Sequence, residues 1–273
     1  MNTMLMQNIS KYRKLRGFTQ EELALKLNIS SQAISKWETG QSQPDISLLP
    51  DVAFALGTDI NSLMGYIYDK KKITIYEDEY RQEDYYWGLK PSHMCYRVME
   101  IIPPVKPLRL LDVGCGEGKD SVFFARNGYI VTAFDIADAG VEKTKRLAEK
   151  YNVNVNVFKA NVLDFRLETE FDVIFSSGVF HYINQELRSE ILNNYKNNTA
   201  VGGVHVFNVF VKKPFIPPAP EKETTSQNWK SGELFTYYTD WRLYAINEVI
   251  FDCNSSGIPH KHCMDIMMAE KVV

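Results

Sequence analysis

Asp112, Gly114, Gly116 and Gly118 stand at alternate positions directly after the apolar pair Leu110-Leu111. A second acid, Asp135, ends the next apolar run, which begins at Tyr129. Glycines so placed let the backbone turn sharply and bring bare peptide against a ligand. The short apolar run ahead of them suits a strand buried on both faces of a parallel sheet. Lys119 to Asn127, stopped by Gly128, reads as a short helix. Strand, glycine turn, helix and a strand-end acid make up a nucleotide-type site, in which the carboxylate of Asp135 accepts from ribose hydroxyls.

The spacing narrows the ligand. A dinucleotide loop uses G-x-G-x-x-G to seat a pyrophosphate on a helix N-terminus. Here Lys119 takes the place of that motif's last glycine. The G-x-G-x-G loop suits a nucleoside without phosphate, and S-adenosylmethionine is such a ligand. Three further groups have chemistry to offer. His181 and His260 are the candidate catalytic residues, because an imidazole titrates in the range a general base needs. His181 is the best placed, with His260 and His262 second. His260-x-His262-Cys263 also places alternate residues on one strand face, a pattern compatible with a metal. With no fourth ligand nearby, no metal is expected.

Elements that alternate between strand and helix must position these groups. Apolar runs end at Val113, Phe134, Phe158 and Ser176, and helical patterns cover 139–151 and 185–196. Gly202-Gly203 introduces a fifth strand, 204–211. The alternation predicts a parallel sheet with helices on both faces and a ligand at the carboxyl ends of its strands. Ahead of it, Tyr85-Tyr86-Trp87 could cover the cofactor, and Pro91 suits the first turn of a helix ending at Ile102. The proline-rich segment Lys212 to Asn228 is too long for a simple connection. It is expected to be a substrate-facing lid lined by Phe215 and Trp229.

Residues 1–66 form a different module. Thr19-Gln20-Glu21-Glu22 is a capping box, Ser30 opens a helix over 31–39 that Gly40 closes, and a fourth helix is expected over 46–56. Two short helices joined by a tight turn make a helix-turn-helix. Thr19–Ala24, Ile34-Ser35-Lys36-Trp37-Glu38-Thr39-Gly40 and Pro44 resemble the phage-repressor-like (XRE) DNA-binding family. The resemblance implies that Ser31, Gln32 and Lys36 read bases of double-stranded DNA and that Gln20 contacts a phosphate. This module carries six basic and six acidic residues through residue 68, so a single copy makes few phosphate contacts. A homodimer on a two-fold operator would offset that. The charged stretch 67–84 is expected to be a solvated linker, with the second domain over 85–273.

Asp112–Gly118 resembles the first motif of class I S-adenosylmethionine-dependent methyltransferases. Gly118-Lys119-Asp120-Ser121, Gly202-Gly203 and the run Gly232-Glu233-Leu234-Phe235-Thr236-Tyr237-Tyr238-Thr239-Asp240-Trp241 are similar to the tellurite-resistance (TehB-type) family. The fold this implies is an all-α helix-turn-helix domain followed by an α/β Rossmann-like methyltransferase domain on a mostly parallel seven-stranded sheet. It also implies that Asn161 holds the adenine amino group, that the Val162 amide faces the ring, and that Ser176 and Ser177 line the methyl donor. A His-Arg pair of the family falls near His260-Lys261. The implied acceptor is a small molecule or a metalloid oxyanion. Nucleic-acid amino methylation is disfavoured, because Ser176-Ser177-Gly178-Val179 lacks the proline and aromatic that clamp a flipped base.

The totals agree with a soluble two-domain enzyme. At 273 residues the chain is longer than one core usually organises. A net charge of −3 gives no general pull toward nucleic acid or anionic lipid. No apolar run is long enough to span a bilayer. Four scattered cysteines fit reduced thiols in a cytoplasm.

Overall fold

A computed structural model describes residues 3–58, 60–65, 74, 76–217, 229–253 and 258–273. The chain divides into two compact units, residues 1–72 and 73–273.

The first unit is helical: α1 (Thr3–Leu15), α2 (Gln20–Leu27), α3 (Ser31–Thr39), α4 (Leu49–Leu56) and α5 (Ile60–Met64). Local chemistry sets the boundaries. Thr19 Oγ1 accepts from the Glu22 amide and Glu22 reaches back to the Thr19 amide, which completes the capping box. Gly40 ends α3 at φ 76°, a left-handed turn that glycine takes at no steric cost. The expected helix over 46–56 is instead split. Asp45 caps a 3-10 turn, Ile46–Leu48, and α4 starts afresh with Pro50 in its first turn. Proline lacks the amide that a continuous helix would need there. Ile9, Leu23, Ile34, Trp37, Val52 and Leu63 are buried together as the core. Arg13 forms a bidentate pair with Glu38, at 2.6 and 2.9 Å. Burial pushes the Glu38 carboxyl up, but the bonds from Arg13 and Gln20 outweigh it and hold it below its ordinary value.

The second unit begins with α6 (Tyr76–Tyr80) and α7 (His93–Ile101). The expected linker over 67–84 therefore does not hold as written: Glu77 and Tyr80 are buried in α6 and belong to this unit. Five parallel strands follow: β1 (Arg109–Val113), β2 (Ile130–Asp135), β3 (Val155–Lys159), β4 (Phe171–Ser176) and β5 (Thr199–Phe210). Helices α8 (Lys119–Arg126), α9 (Asp138–Lys150) and α10 (Gln185–Asn197) connect them, and α11 (Glu233–Thr236) precedes the hairpin of β6 (Arg242–Cys253) and β7 (His260–Glu270). The sheet order is β3-β2-β1-β4-β5-β7-β6, with β7 antiparallel to its neighbours. Alternate strand residues feed two cores: Leu111, Val113 and Phe207 enter one, Leu110, Val206 and Phe175 the other. The fifth strand starts earlier than expected, at Thr199. Its register slips opposite Phe171/Val173, and Gly202 at φ 79° lies inside the irregular stretch.

No helix is long and apolar enough to cross a membrane, among the described residues. Strand order reverses between β1 and β4, so the crevice of the fold lies at their carboxyl ends.

Candidate active site

The turn after β1 stands at that crevice. Gly114, Gly116 and Gly118 all have positive φ, at 70°, 54° and 85°. Two of them are also pressed by neighbours. A Cβ on Gly114 would lie 2.1 Å from Val179 Cγ2, and one on Gly118 would lie 2.6 Å from Thr144. Asp135 pins the turn from β2. Its Oδ2 accepts from the Gly116 amide at 2.8 Å and its Oδ1 from the Ala137 amide at 2.9 Å. Burial raises the Asp135 pKa, and these amide bonds oppose the rise. Asp112 lies beneath the loop, where its Oδ2 accepts from Ser121 at 2.5 Å. Burial, then the nearby Asp120 charge, pushes it up to about 7. The two acids thus divide the work: Asp112 ties β1 to α8, and Asp135 ties the glycine turn to the end of β2.

Asn161 opens the turn after β3. Its Oδ1 accepts from the Leu163 amide at 3.0 Å, a local bond that an aspartate would make equally well. The Ala160 amide donates to the Asp135 carbonyl, so this turn is anchored beside the same strand end. Val162 is buried next to it in the core.

An aromatic group covers the loop. Trp87 donates to the Tyr80 hydroxyl at 2.9 Å, Tyr76 stacks on Tyr80 at 5.6 Å, and Trp87 meets Tyr86 edge-on at 4.8 Å. The Tyr80 hydroxyl and Trp87 Cδ1 lie 3.1 and 3.9 Å from where a Cβ on Gly116 would be. One acid of the loop and one of α8 hold the segment that carries this cover. Glu117 accepts from the amides of Tyr86 and Trp87, and pairs with Lys143 at 2.7 Å. Asp120 accepts from the Ser92 amide at 2.7 Å. The expected cover at Tyr85-Tyr86-Trp87 contributes Trp87 here. Tyr76, Tyr80 and Glu117 were missed. The signal for the tyrosines was available, since Tyr76 and Tyr80 are four apart and share a helix face.

The segment after β4 closes the crevice from the other side. Ser176 is buried and donates to the Val113 carbonyl at 3.1 Å, joining β4 to β1. Asn208 of β5 shapes the next turn: its Oδ1 accepts from the Gly178 amide at 2.7 Å, and its Nδ2 donates to the Ser177 hydroxyl at 3.5 Å. His181 follows in the 3-10 turn Phe180–Tyr182, 2% exposed. Neither of its ring nitrogens has a hydrogen-bond partner among the described residues. Burial, reinforced by His262, drives its pKa down to about 3. The expectation of a histidine titrating near neutrality is therefore corrected. His181 is a neutral imidazole at physiological pH, able to bond a ligand but a weak base.

Other expected residues fall elsewhere. Trp229 does not line a lid. It is 1% exposed, donates to the Phe180 carbonyl at 3.0 Å, and lies under the Arg188 guanidinium. Phe215 is 68% exposed, and residues 218–228 of the proposed lid lie outside the described residues. The Tyr-Tyr-Trp run serves packing. Tyr238 bonds His205 Nδ1 at 2.7 Å, and Trp241 packs on the same ring at 4.5 Å. His260 is half-buried at the start of β7, where it bonds His262 at 2.9 Å. Cys263 points the other way, into the core.

On the first unit, Gln32 and Lys36 are exposed one helical turn apart on α3, with Ser31 half-buried beside them. Gln20 is half-buried at the start of α2. Its amide nitrogen donates to Glu38 at 2.8 Å, so it braces the buried Arg13–Glu38 pair.

Sheet order, glycine turn and strand-end acid together define the Rossmann-like fold of class I methyltransferases. The comparisons agree. The family model described as "Tellurite resistance protein TehB" matches residues 74–257, and the one described as "Helix-turn-helix" matches residues 9–63. Over 152 residues the chain is 30% identical to "Probable S-adenosyl-L-methionine-dependent methyltransferase TehB" of Haemophilus influenzae, covering 55% of this chain and 52% of that protein. It is 28% identical over 147 residues to the 2-heptyl-1-hydroxyquinolin-4(1H)-one methyltransferase of Mycobacteroides abscessus, covering 50% and 63%. The crystal structure of TehB from Haemophilus influenzae matches with a TM-score of 0.60 at 26% identity, over 72% of this chain and 65% of that one. The chain belongs to the TehB tellurite-resistance family. It spans about half the length of the curated relatives it matches.

Proposed function

We propose that the second unit transfers a methyl group from S-adenosylmethionine to a small, soft acceptor such as a metalloid oxyanion, and that the first unit binds double-stranded DNA as a homodimer in a transcription-regulatory role. The observation that carries the enzymatic reading is the positive-φ glycine turn pinned to Asp135 through Gly116. The cofactor supplies an electrophilic methyl carbon on a sulfonium. The residues of the chain bind and align. Asp135 accepts from the ribose, the turn of Asn161 and Val162 borders the base, and Ser176 and Ser177 flank the donor. Tyr80 and Trp87 exclude water and offer ring faces that favour a cation. Alignment of nucleophile, carbon and sulfur provides most of the acceleration in such a displacement. A soft anion needs no base, which suits a His181 that stays neutral. His181 then holds the acceptor by a hydrogen bond, with His260 further out.

Two names support a small acceptor: the family's description records tellurite resistance, and one relative's name a hydroxyquinolone. The test is turnover to S-adenosylhomocysteine with tellurite, selenite, thiols and phenols. Turnover is expected with at least one of these. His181→Ala should lower kcat/KM for that acceptor about 10- to 100-fold, the worth of one hydrogen bond to a charged group, and leave cofactor affinity unchanged. Unchanged kcat/KM would remove His181 from the site.

A second reading follows from the fused helix-turn-helix: a regulator that senses S-adenosylmethionine with little turnover. Cofactor binding without product on any acceptor, but with altered DNA affinity, would select it. For DNA itself, Gln32→Ala and Lys36→Ala should each weaken binding to the promoter of the chain's own gene by about 1–3 kcal/mol, read by fluorescence anisotropy at fixed salt. Unchanged affinity in both would reject the assigned contacts.

A further inference from the structure

The β6–β7 hairpin brings together three residues that lie apart in sequence. In its antiparallel register Cys253 stands directly opposite His260, and Phe251 stands opposite His262. Residues two apart on a strand share a face, so Cys253, His260 and His262 converge on one side while Cys263 turns to the core. One ligand atom from each lies within 4.8 Å of the others. All three side chains are half-buried, open enough for an ion to enter.

A second observation concerns the tautomer. His260 Nδ1 bonds the Ile258 carbonyl at 2.7 Å. A carbonyl only accepts, so Nδ1 carries the proton and the lone pair of a neutral His260 lies on Nε2. That lone pair faces His262 Nε2 at 2.9 Å. Metal-bound histidines characteristically donate their other ring N–H to a carbonyl or carboxylate, which fixes both ring orientation and tautomer. The hairpin has this arrangement already built.

We propose that Cys253, His260 and His262 bind a borderline-soft divalent cation of the Zn²⁺ class, leaving its fourth position for a small ligand. One thiolate with two imidazoles selects such ions over Mg²⁺ or Ca²⁺, which take oxygen ligands. Three protein ligands with an open position is the pattern of zinc sites that engage small molecules. Bond lengths of about 2.0–2.1 Å to nitrogen put two ligand nitrogens roughly 3.4 Å apart in a tetrahedron, so the two rings need only part by a few tenths of an ångström. On binding, Cys253 releases its thiol proton to solvent, and the His262 proton moves to Nδ1 so that Nε2 can ligate. One aromatic ring separates this site from His181, the side chain proposed to hold the acceptor. The His262 ring packs on Phe210 at 4.8 Å, and Phe210 meets His181 at 4.6 Å. The site stands on hairpin geometry alone and does not depend on the methyltransferase reading.

The test uses the full chain, tag removed, stripped with chelator under reducing conditions and titrated with Co²⁺ alone. One equivalent should bind, with a thiolate-to-cobalt charge-transfer band and the strong visible bands of four-coordination. Zn²⁺ should abolish both by competition. Cys253→Ser should lose the charge-transfer band, and His262→Ala should weaken Co²⁺ at least about tenfold. Metal-free thermal unfolding of each variant at the wild-type midpoint establishes that the fold is intact. No stoichiometric binding by the wild type, or a charge-transfer band that survives Cys253→Ser, overturns the proposal.

Discussion

Asp135→Ala is expected to raise the Kd for S-adenosylmethionine at least about 100-fold, measured by isothermal titration calorimetry. The carboxylate accepts two backbone amides in the resting fold, one from Gly116 in the glycine turn and one from Ala137 at the start of the next segment. Removing it orphans two amides in a buried place, at roughly 1–3 kcal/mol for each group left unsatisfied. The turn then loses its tether, and the ribose loses its acceptor. Two such losses together exceed about 3 kcal/mol, which is the hundredfold stated. Asp135→Asn separates the contributions. An amide oxygen can still accept from Gly116, so this variant should keep the fold of the loop and fall between wild type and alanine. Wild-type affinity in Asp135→Ala would mean that the cofactor does not lie on this turn.

His181→Phe is expected to make the second unit relatively more stable as pH falls. Burial holds the wild-type imidazole at a pKa of about 3, while the unfolded chain protonates near 6.5. A depressed histidine pKa means the unfolded state binds more protons between those values. Stability is therefore full above pH 6.5 and declines on acidification, by up to about 1.4 kcal/mol per pH unit. From pH 7.5 to 5.0 the wild type should lose about 2 kcal/mol that the phenylalanine variant keeps. The comparison must be between variant and wild type, because Asp112 acts in the opposite sense. Its pKa, raised to about 7, lets the folded state take up a proton and gain stability as pH falls below that value. Urea unfolding at pH 7.5 and 5.0 reads the difference. If the gap between the two proteins does not widen at the lower pH, His181 is not held neutral by its surroundings. His205 is the internal control. It too is lowered by burial, yet both its nitrogens are bonded, to Thr199 and Tyr238, so its replacement should destabilise at every pH.

The role of Asn208 illustrates how a site is assembled from beyond its own motif. No local pattern marks this residue, which lies near the carboxyl end of β5. Parallel pairing of β4 and β5 places its amide beside the Gly178 turn, where it orders the backbone that carries His181. Glu117 is similar. Within the glycine loop it looks like spacer, but its carboxylate gathers Tyr86, Trp87 and Lys143 and so clamps the aromatic cover.

The sequence by itself determined what depends on neighbours along the chain. The G-x-G-x-G turn, the capping box at Thr19, the helix stop at Gly40 and the strand-end acid at Asp135 all express local dihedral limits or periodicity, and each was found where expected. Tertiary structure decided what depends on register and closure. Burial turned His181 from a candidate base into a neutral bonding group, and the Arg13–Glu38 pair engaged the side-chain amide of Gln20. Tyr76 and Tyr80 left the supposed linker to cover the loop, and Trp229 left the supposed lid for the core. The hairpin register set Cys253, rather than the adjacent Cys263, against the two histidines. The physical reason is common to these cases. A side chain's chemistry is written in its type, but its solvation and partners are fixed only when distant strands and helices pack around it.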